Sequence, residues 1–131
     1  MEIIESLNEK YVIQLSSIYK KTWFTQNRTI SDITQMLSNS YLTLGFLEKE
    51  ELIGFCRVIS DGVYKAFLFD VIVKDGYQNQ GIGSFIMKTV LNHEKLINVR
   101  HIELYCPEKV THFYKKIGFE TRTSLLMRCE N

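Results

Sequence analysis

Ala66-Phe67-Leu68-Phe69-Asp70-Val71-Ile72-Val73 runs, after four intervening residues, into Gln78-Asn79-Gln80-Gly81-Ile82-Gly83. The first segment is apolar, β-branched or aromatic everywhere except Asp70, the composition of a central strand covered on both faces. From Gly81 to His93, the residues Ile82, Ile86, Met87, Val90 and Leu91 fall on one face of a helix. A strand that feeds a glycine-bearing turn and then a helix leaves backbone N–H groups and the positive end of the helix dipole free at the turn. Glycines at 81 and 83 let the backbone approach an anion with no Cβ in the way. No phosphate-binding lysine stands in the turn, so recognition of the anion falls to the amides of Gln78 to Ser84.

Outward from this centre, the pattern predicts a short strand over Met1–Ile4 and a helix from Glu9 to about Thr22, with Tyr11, Leu15, Ile18 and Tyr19 at helical spacing. Thr29, with Asp32 three residues on, starts a second helix that Asn39 stops. Tyr41–Glu48 and Leu52–Ser60 read as antiparallel strands joined at Lys49-Glu50-Glu51, and Asp61-Gly62 marks the next hairpin. On the other side lie a strand over His101–Cys106, a helix opened by Pro107 with Val110, Phe113, Tyr114 and Ile117 as its buried stripe, and Gly118 as its left-handed cap. Phe119–Arg122 and Leu125–Arg128 are expected to form two closing strands. The order predicts one mixed α/β domain over residues 1–131, with helices flanking a central, mostly antiparallel twisted sheet.

Composition narrows the classes of function. Lys plus Arg (16) nearly balance Asp plus Glu (15), a formal charge of +1, so no strong field gathers nucleic acid or an anionic membrane. The N-terminal residues show no basic segment followed by an apolar one, and no apolar run approaches about 18 residues, so neither secretion nor membrane insertion is expected. Cys56, Cys106 and Cys129 are odd in number and widely spaced, unlike a disulfide framework, which points to a reducing, cytoplasmic setting. His93, His101 and His112 lack the spacing of a helical metal pair, so no metal is expected.

The glycine turn fits two familiar anion motifs poorly. The dinucleotide fingerprint needs a small residue where Ile86 stands, and a P-loop needs a Gly-Lys-Ser/Thr that is absent. Gln78-Asn79-Gln80-Gly81-Ile82-Gly83 instead resembles the Q/R-x-x-G-x-G/A signature of the GNAT acetyltransferase superfamily. Phe113-Tyr114-Lys115-Lys116-Ile117-Gly118-Phe119 is similar to that family's late F-Y-x-x-x-G-F element, and Leu52-Ile53-Gly54-Phe55-Cys56-Arg57 to its earlier I-G-F strand. The resemblance implies a V-shaped splay between the fourth and fifth strands, Ala66–Val73 and His101–Cys106, with a bulge near Asp70-Val71. It implies acetyl-CoA as co-substrate, held by Val71, Ile72, Val73, Gln78, Asn79, Gln80, Gly81, Ile82, Gly83 and Ser84, with Val71 and Val73 contributing main-chain groups. The implied reaction is direct attack of a primary amine, from a small molecule or a peptide, on the thioester in a ternary complex.

Such a reaction needs an acid for the departing thiolate and a route for the amine's proton. Tyr114 is the candidate acid by its place in the late element, which outweighs the other reading of a residue on a helix stripe, packing. Asp70 is the candidate on the acceptor side, as base or as ligand of an ammonium group. A carboxylate in an apolar strand must be paired or open on a cleft, so the other reading is a structural group that holds the bulge or pairs with Arg57 or another cation. Glu103 is a weaker candidate, and Cys106 is discounted as a nucleophile because, although His112 lies nearby in sequence, no His/Asn arrangement is recognisable. Tyr19, Trp23, Phe24, Gln26, Asn27 and Arg28 cluster between the first two helices, where they could line an acceptor pocket, cap the core or form a homodimer contact. Arg28 and Arg57 would favour an acceptor bearing a carboxylate or phosphate. A non-catalytic acyl-CoA-binding module and a ligand-free structural domain are the alternatives to an enzyme.

Overall fold

The computed structural model describes residues 1–131. In chain order the elements are β1 (Glu2–Ile4), α1 (Glu9–Lys20), α2 (Ile30–Ser38), β2 (Leu42–Glu48), β3 (Glu51–Ser60), β4 (Lys65–Val73), α3 (Ile82–Leu91), β5 (His101–Leu104) and α4 (Thr111–Ile117), the last preceded by a 3₁₀ turn over Glu108–Val110. The strands lie in sequence order in one sheet. All neighbours are antiparallel except β4 and β5, which are parallel.

The ends of the elements have local causes. Asn8 caps α1 by accepting the Tyr11 N–H, and Thr29 caps α2 by accepting the Asp32 N–H, as its spacing predicts. Gly118 closes α4 at φ +114. Between β2 and β3, Lys49 and Glu50 both hold positive φ, the backbone of a tight turn whose twist matches the strands it joins. The Asp61 carboxylate gathers the N–H groups of Val63 and Tyr64 and so shapes the β3–β4 connection.

Two apolar layers sandwich the sheet. On one face Ile82, Ile86, Met87 and Val90 of α3 pack on Leu44, Phe46, Ile53, Cys56, Val58, Ala66 and Leu68. On the other, Val12, Leu15, Ile18 and Tyr19 of α1 and Ile33 of α2 pack on Leu47, Leu52, Phe55 and Ile72. Each such fully buried side chain contributes about 1.5–3 kcal/mol relative to exposure, so the two layers hold the helices against the sheet with no disulfide.

The two closing strands expected over Phe119–Arg122 and Leu125–Arg128 do not form. Beyond Phe119 the backbone is irregular and exposed, with Leu125 and Met127 86% and 88% accessible. Glu120 to Ser124 carries nothing apolar to bury, and Leu125-Leu126-Met127 is a run without the alternation that would turn one side toward the sheet. The sheet therefore ends at β5.

Candidate active site

Pairing between β4 and β5 covers only Lys65–Leu68 against His101–Leu104. From Phe69 to Val73, β4 continues with no strand on that side, so the expected splay is present between the fourth and fifth strands. A bulge begins at the same point. Phe55 pairs with Ile72 and Arg57 with Phe69, leaving Asp70 and Val71 opposite the single residue Cys56, and Asp70 takes the left-handed φ of +55. Past the bulge the Lys74 N–H donates to the Ile53 carbonyl on β3. By the alternation of an antiparallel ladder, the amide groups of Val73 and Val71 turn the other way, into the splay. Ile72 differs from its neighbours: its main chain faces β3 and its side chain is buried under α1, so neither part is presented to a ligand in the splay.

The turn between β4 and α3 is built as an anion cradle. Gly76, Asn79 and Gly81 hold positive φ, and Gly81 caps α3 with no side chain occupying the helix end. None of the seven backbone N–H groups from Gln78 to Ser84 donates to a protein acceptor. The Gln78 side chain instead ties the turn to the strand by donating to the Val73 carbonyl at 3.1 Å. A Cβ added at Gly83 would meet the Phe113 ring at 3.5 Å and the Val73 side chain at 4.0 Å, both ordinary contacts, and one at Gly81 would meet nothing. Consecutive unpartnered amides at a helix start suit an anionic ligand.

A cavity of about 710 Å³ lies against the same strand end. Ile18, Trp23 and Phe24 wall it on one side, and Val71, Val73 and Gln78 on the other. The aromatic loop after α1 and the splayed half of β4 thus face one space. Trp23 and Phe24 contact each other edge to face, with ring centres 5.3 Å apart.

On the α3 side, Tyr114 packs edge to face against Phe113 and Phe119, with centroids 5.0 and 5.8 Å away. Its hydroxyl has no protein partner and reaches open space. Burial, with smaller contributions from the Cys106 and Cys56 thiols, pushes its phenol up to about 12. The group is therefore protonated at neutral pH and has a proton to donate.

Asp70 sits in a charged cluster gathered from four elements. Its Oδ2 accepts from Arg28 Nη1 at 2.6 Å, Arg57 Nε at 2.8 Å and the Tyr19 hydroxyl at 2.9 Å. Burial raises the carboxyl's pKa, and the hydrogen bonds and charges of Arg28 and Arg57 more than reverse this, holding it below the ordinary carboxylate range. Tyr19 is shifted upward, by burial first and then by Asp70. Of the two readings of Asp70 that sequence leaves open, this is the geometry of the paired carboxylate. Glu103 lies apart from this cluster and pairs with Lys65 at 2.8 Å. Tyr19 and Arg28 as partners of Asp70 are not visible in sequence, because they stand 51 and 42 residues away; the one signal is that a lone carboxylate in an apolar strand demands partners.

Comparison with known proteins bears on the same region. A family model described as an acetyltransferase (GNAT) domain matches residues 39–121, from the end of α2 to just beyond α4. The Glycine max protein named "Probable acetyltransferase TAP2" is 29% identical over 129 residues, covering 90% of this chain and 51% of that protein. GCN5-related N-acetyltransferase 1, chloroplastic, of Arabidopsis thaliana is 25% identical over 107 residues, 81% of this chain and 54% of that protein. The chain thus spans about half the length of these curated relatives. Among solved structures, a GNAT-family protein of Xanthomonas campestris pv. campestris superposes with a TM-score of 0.82 at 21% identity, over 99% of this chain and 94% of that one.

Proposed function

The chain belongs to the GNAT acetyltransferase family, and from that premise we propose that it transfers an acetyl group from acetyl-CoA to the primary amine of an acceptor, by direct attack within a ternary complex. The observation that carries this reading is the run of seven unpartnered N–H groups from Gln78 to Ser84 at the end of a splayed strand. In it the pyrophosphate of the coenzyme lies on Gln78, Asn79, Gln80, Gly81, Ile82, Gly83 and Ser84, and the acyl-bearing arm runs along the outward main-chain edge of Val73 and Val71, where the Gln78 side chain holds the Val73 carbonyl. Ile72 leaves the binding set, since its amide is turned to β3.

The chemistry follows from these positions. A β4 amide that faces the splay polarises the thioester oxygen as negative charge develops on it. The acceptor amine, with a solution pKa of about 10, loses its proton to water in the open cavity. Asp70 does not serve as the base, because its contacting oxygen already accepts three hydrogen bonds and a carboxylate held strongly ionised is a weak base. Tyr114 donates the proton that converts the departing thiolate of coenzyme A to a thiol, and it is reprotonated through water by the second proton, which the nitrogen sheds after attack. No metal enters this scheme. Three unpaired cysteines support a reducing compartment, and we read it as the cytoplasm; no helix is long and apolar enough to cross a membrane.

A thiol-release assay over a panel of primary amines, with acetyl-CoA as donor, tests the proposal. Turnover on at least one acceptor is expected, and Tyr114→Phe should lower kcat on that acceptor by at least tens of times, within the range of about 10² to 10⁴ typical of a positioned acid or just under it, with acetyl-CoA affinity nearly unchanged. Acetyl-CoA binding with no thiol release across the panel would move the chain to the non-catalytic reading. A Tyr114→Phe variant that keeps more than half of wild-type kcat would return Tyr114 to packing.

A further inference from the structure

The Asp70 cluster holds more positive charge than it neutralises. Two guanidiniums converge on one carboxylate oxygen, so one positive charge lacks a partner. Neither arginine is loose. Arg57 is 12% exposed in its side chain, held by Nε to Asp70 and laid over the Phe69 ring at 4.9 Å. Arg28 is 29% exposed, held by Nη1 and laid over the Tyr19 ring at 4.8 Å. Each guanidinium therefore commits one edge to Asp70 and one face to an aromatic ring, which fixes its plane.

The remaining donors are the informative ones. Nε to Asp70 is the only protein hydrogen bond of the Arg57 side chain, so both of its terminal nitrogens are unpartnered. Arg28 adds only a long contact to the Met36 sulfur, leaving Nε and Nη2 free. No nitrogen of either residue is both buried and unsatisfied, so these donors open on accessible space. Fixed guanidinium forks with free N–H groups and an unbalanced charge match a planar or tetrahedral oxyanion, which they bind through paired hydrogen bonds. The two arginines stand beside the cavity and not in its wall: Asp70, which holds them, is followed by Val71, and Gln26, two residues before Arg28, also lines the cavity.

From this we infer that Arg28 and Arg57 bind an anionic group, a carboxylate or a phosphate, carried by the acceptor itself, so that the acceptor is an amine with an acidic substituent. The inference rests on the acetyl-transfer reading for the amine, but the anion site stands on geometry of its own. Asp70 is here a positioning residue. It aims both guanidiniums and touches no substrate.

The test compares matched acceptors in the thiol-release assay: glycine against glycinamide, and O-phosphoethanolamine against ethanolamine. For each pair the ratio of kcat/KM, acidic over neutral, is measured in the wild type and in Arg57→Lys and Arg28→Lys, so that intrinsic amine reactivity cancels. Lysine keeps a cation beside Asp70 and removes the fork. The ratio should fall at least about tenfold in both variants for one pair, the loss of a charge-assisted hydrogen bond, and the pair that responds identifies carboxylate or phosphate. Ratios equal to wild type in both variants, for both pairs, overturn the inference. Calorimetric binding of inorganic phosphate and of glycine, without coenzyme and at constant ionic strength, gives a readout free of turnover: one of them should bind the wild type and bind each variant at least about tenfold more weakly. If no amine is acetylated but this binding difference holds, the transfer reading fails and the anion site survives. If amines are acetylated with no preference and no binding difference, the reverse is true. Should Arg57→Lys fail to fold, Arg28→Lys carries the test, because its side chain is the more exposed.

Discussion

The glycine turn at the end of β4 and the charged cluster at its bulge lie along a few residues of one strand, and they are made in opposite ways. The turn consists of main-chain amides left without partners, which water satisfies until a ligand arrives. The cluster consists of side chains from α1, the loop before α2, β3 and β4, brought into a largely buried place where each charge needs a neighbour. A site of the first kind depends on local backbone conformation and scarcely on the core. A site of the second kind is part of the core, and damage to it should appear first as lost stability.

The largest expected contrast comes from Asp70→Asn. It leaves two arginines facing each other without their counter-charge, a loss of about 3 kcal/mol, the low end for a broken buried pair because Arg28 is partly exposed. Thermal and urea unfolding should show that loss, while calorimetry finds acetyl-CoA affinity within a few-fold of wild type. Unchanged stability with abolished turnover would instead make Asp70 a chemical participant and erase the distinction between the two regions. The same carboxylate gives a pH signature. Its folded pKa is depressed, so its contribution is complete above the unfolded value of about 3.9 and disappears as pH falls through the lower folded value. The stability gap between wild type and Asp70→Asn should therefore close below about pH 4; a constant gap in acid would show that Asp70 is not held as an ion pair.

Gly83→Asp should have the next largest effect, on binding rather than on stability. The Phe113 ring and the Val73 side chain would meet the new Cβ at ordinary contact distances, so the fold should survive. A carboxylate placed among the free amides should weaken acetyl-CoA binding at least about tenfold, through like charge and lost access. Unchanged affinity by calorimetry would remove the coenzyme from this turn. The smallest effect is reserved for Gly81→Ala. There the added methyl meets nothing, but φ is +81, so melting should report a loss of about 1 kcal/mol from backbone strain alone. A loss several times larger would mean that the turn is coupled to the core after all.

That difference in construction also explains what could be read in advance. The strand over Ala66–Val73, the turn, the Thr29 cap and the Gly118 cap rest on local chemistry and the splay beside β4 on the family resemblance, and all were legible. Tyr19 and Arg28 as partners of Asp70 were not, because no spacing rule links residues joined only by packing. Ile72 groups with its neighbours Val71 and Val73 in sequence, since periodicity cannot say which amides a partner strand occupies. The closing strands failed for a related reason: β propensity in Phe119–Arg122 and Leu125–Arg128 does not supply a surface to pair with. The positive φ values of Lys49 and Glu50 carry no signal in residue type, where glycine or asparagine would have announced the turn.

The bulge at Asp70 also acts as a change of phase. Before it, even-numbered β4 residues, Ala66 and Leu68, face the α3 layer; after it, Val71 and Val73 do, and Ile72 joins the layer under α1. Both halves of the strand read as one alternation once that one additional residue between them is set aside. Deleting Asp70 would close the bulge and leave Val71 opposite Cys56 in plain alternation, so Val71, Ile72 and Val73 would keep their faces, and what would go is the bend in the strand and the carboxylate that Tyr19, Arg28 and Arg57 share. A residue removed from the regular stretches on either side would instead exchange inside and outside for all that lies beyond it, so, as with a frameshift that one further deletion corrects, the bulge is the one place where this strand can shorten and still present the same faces.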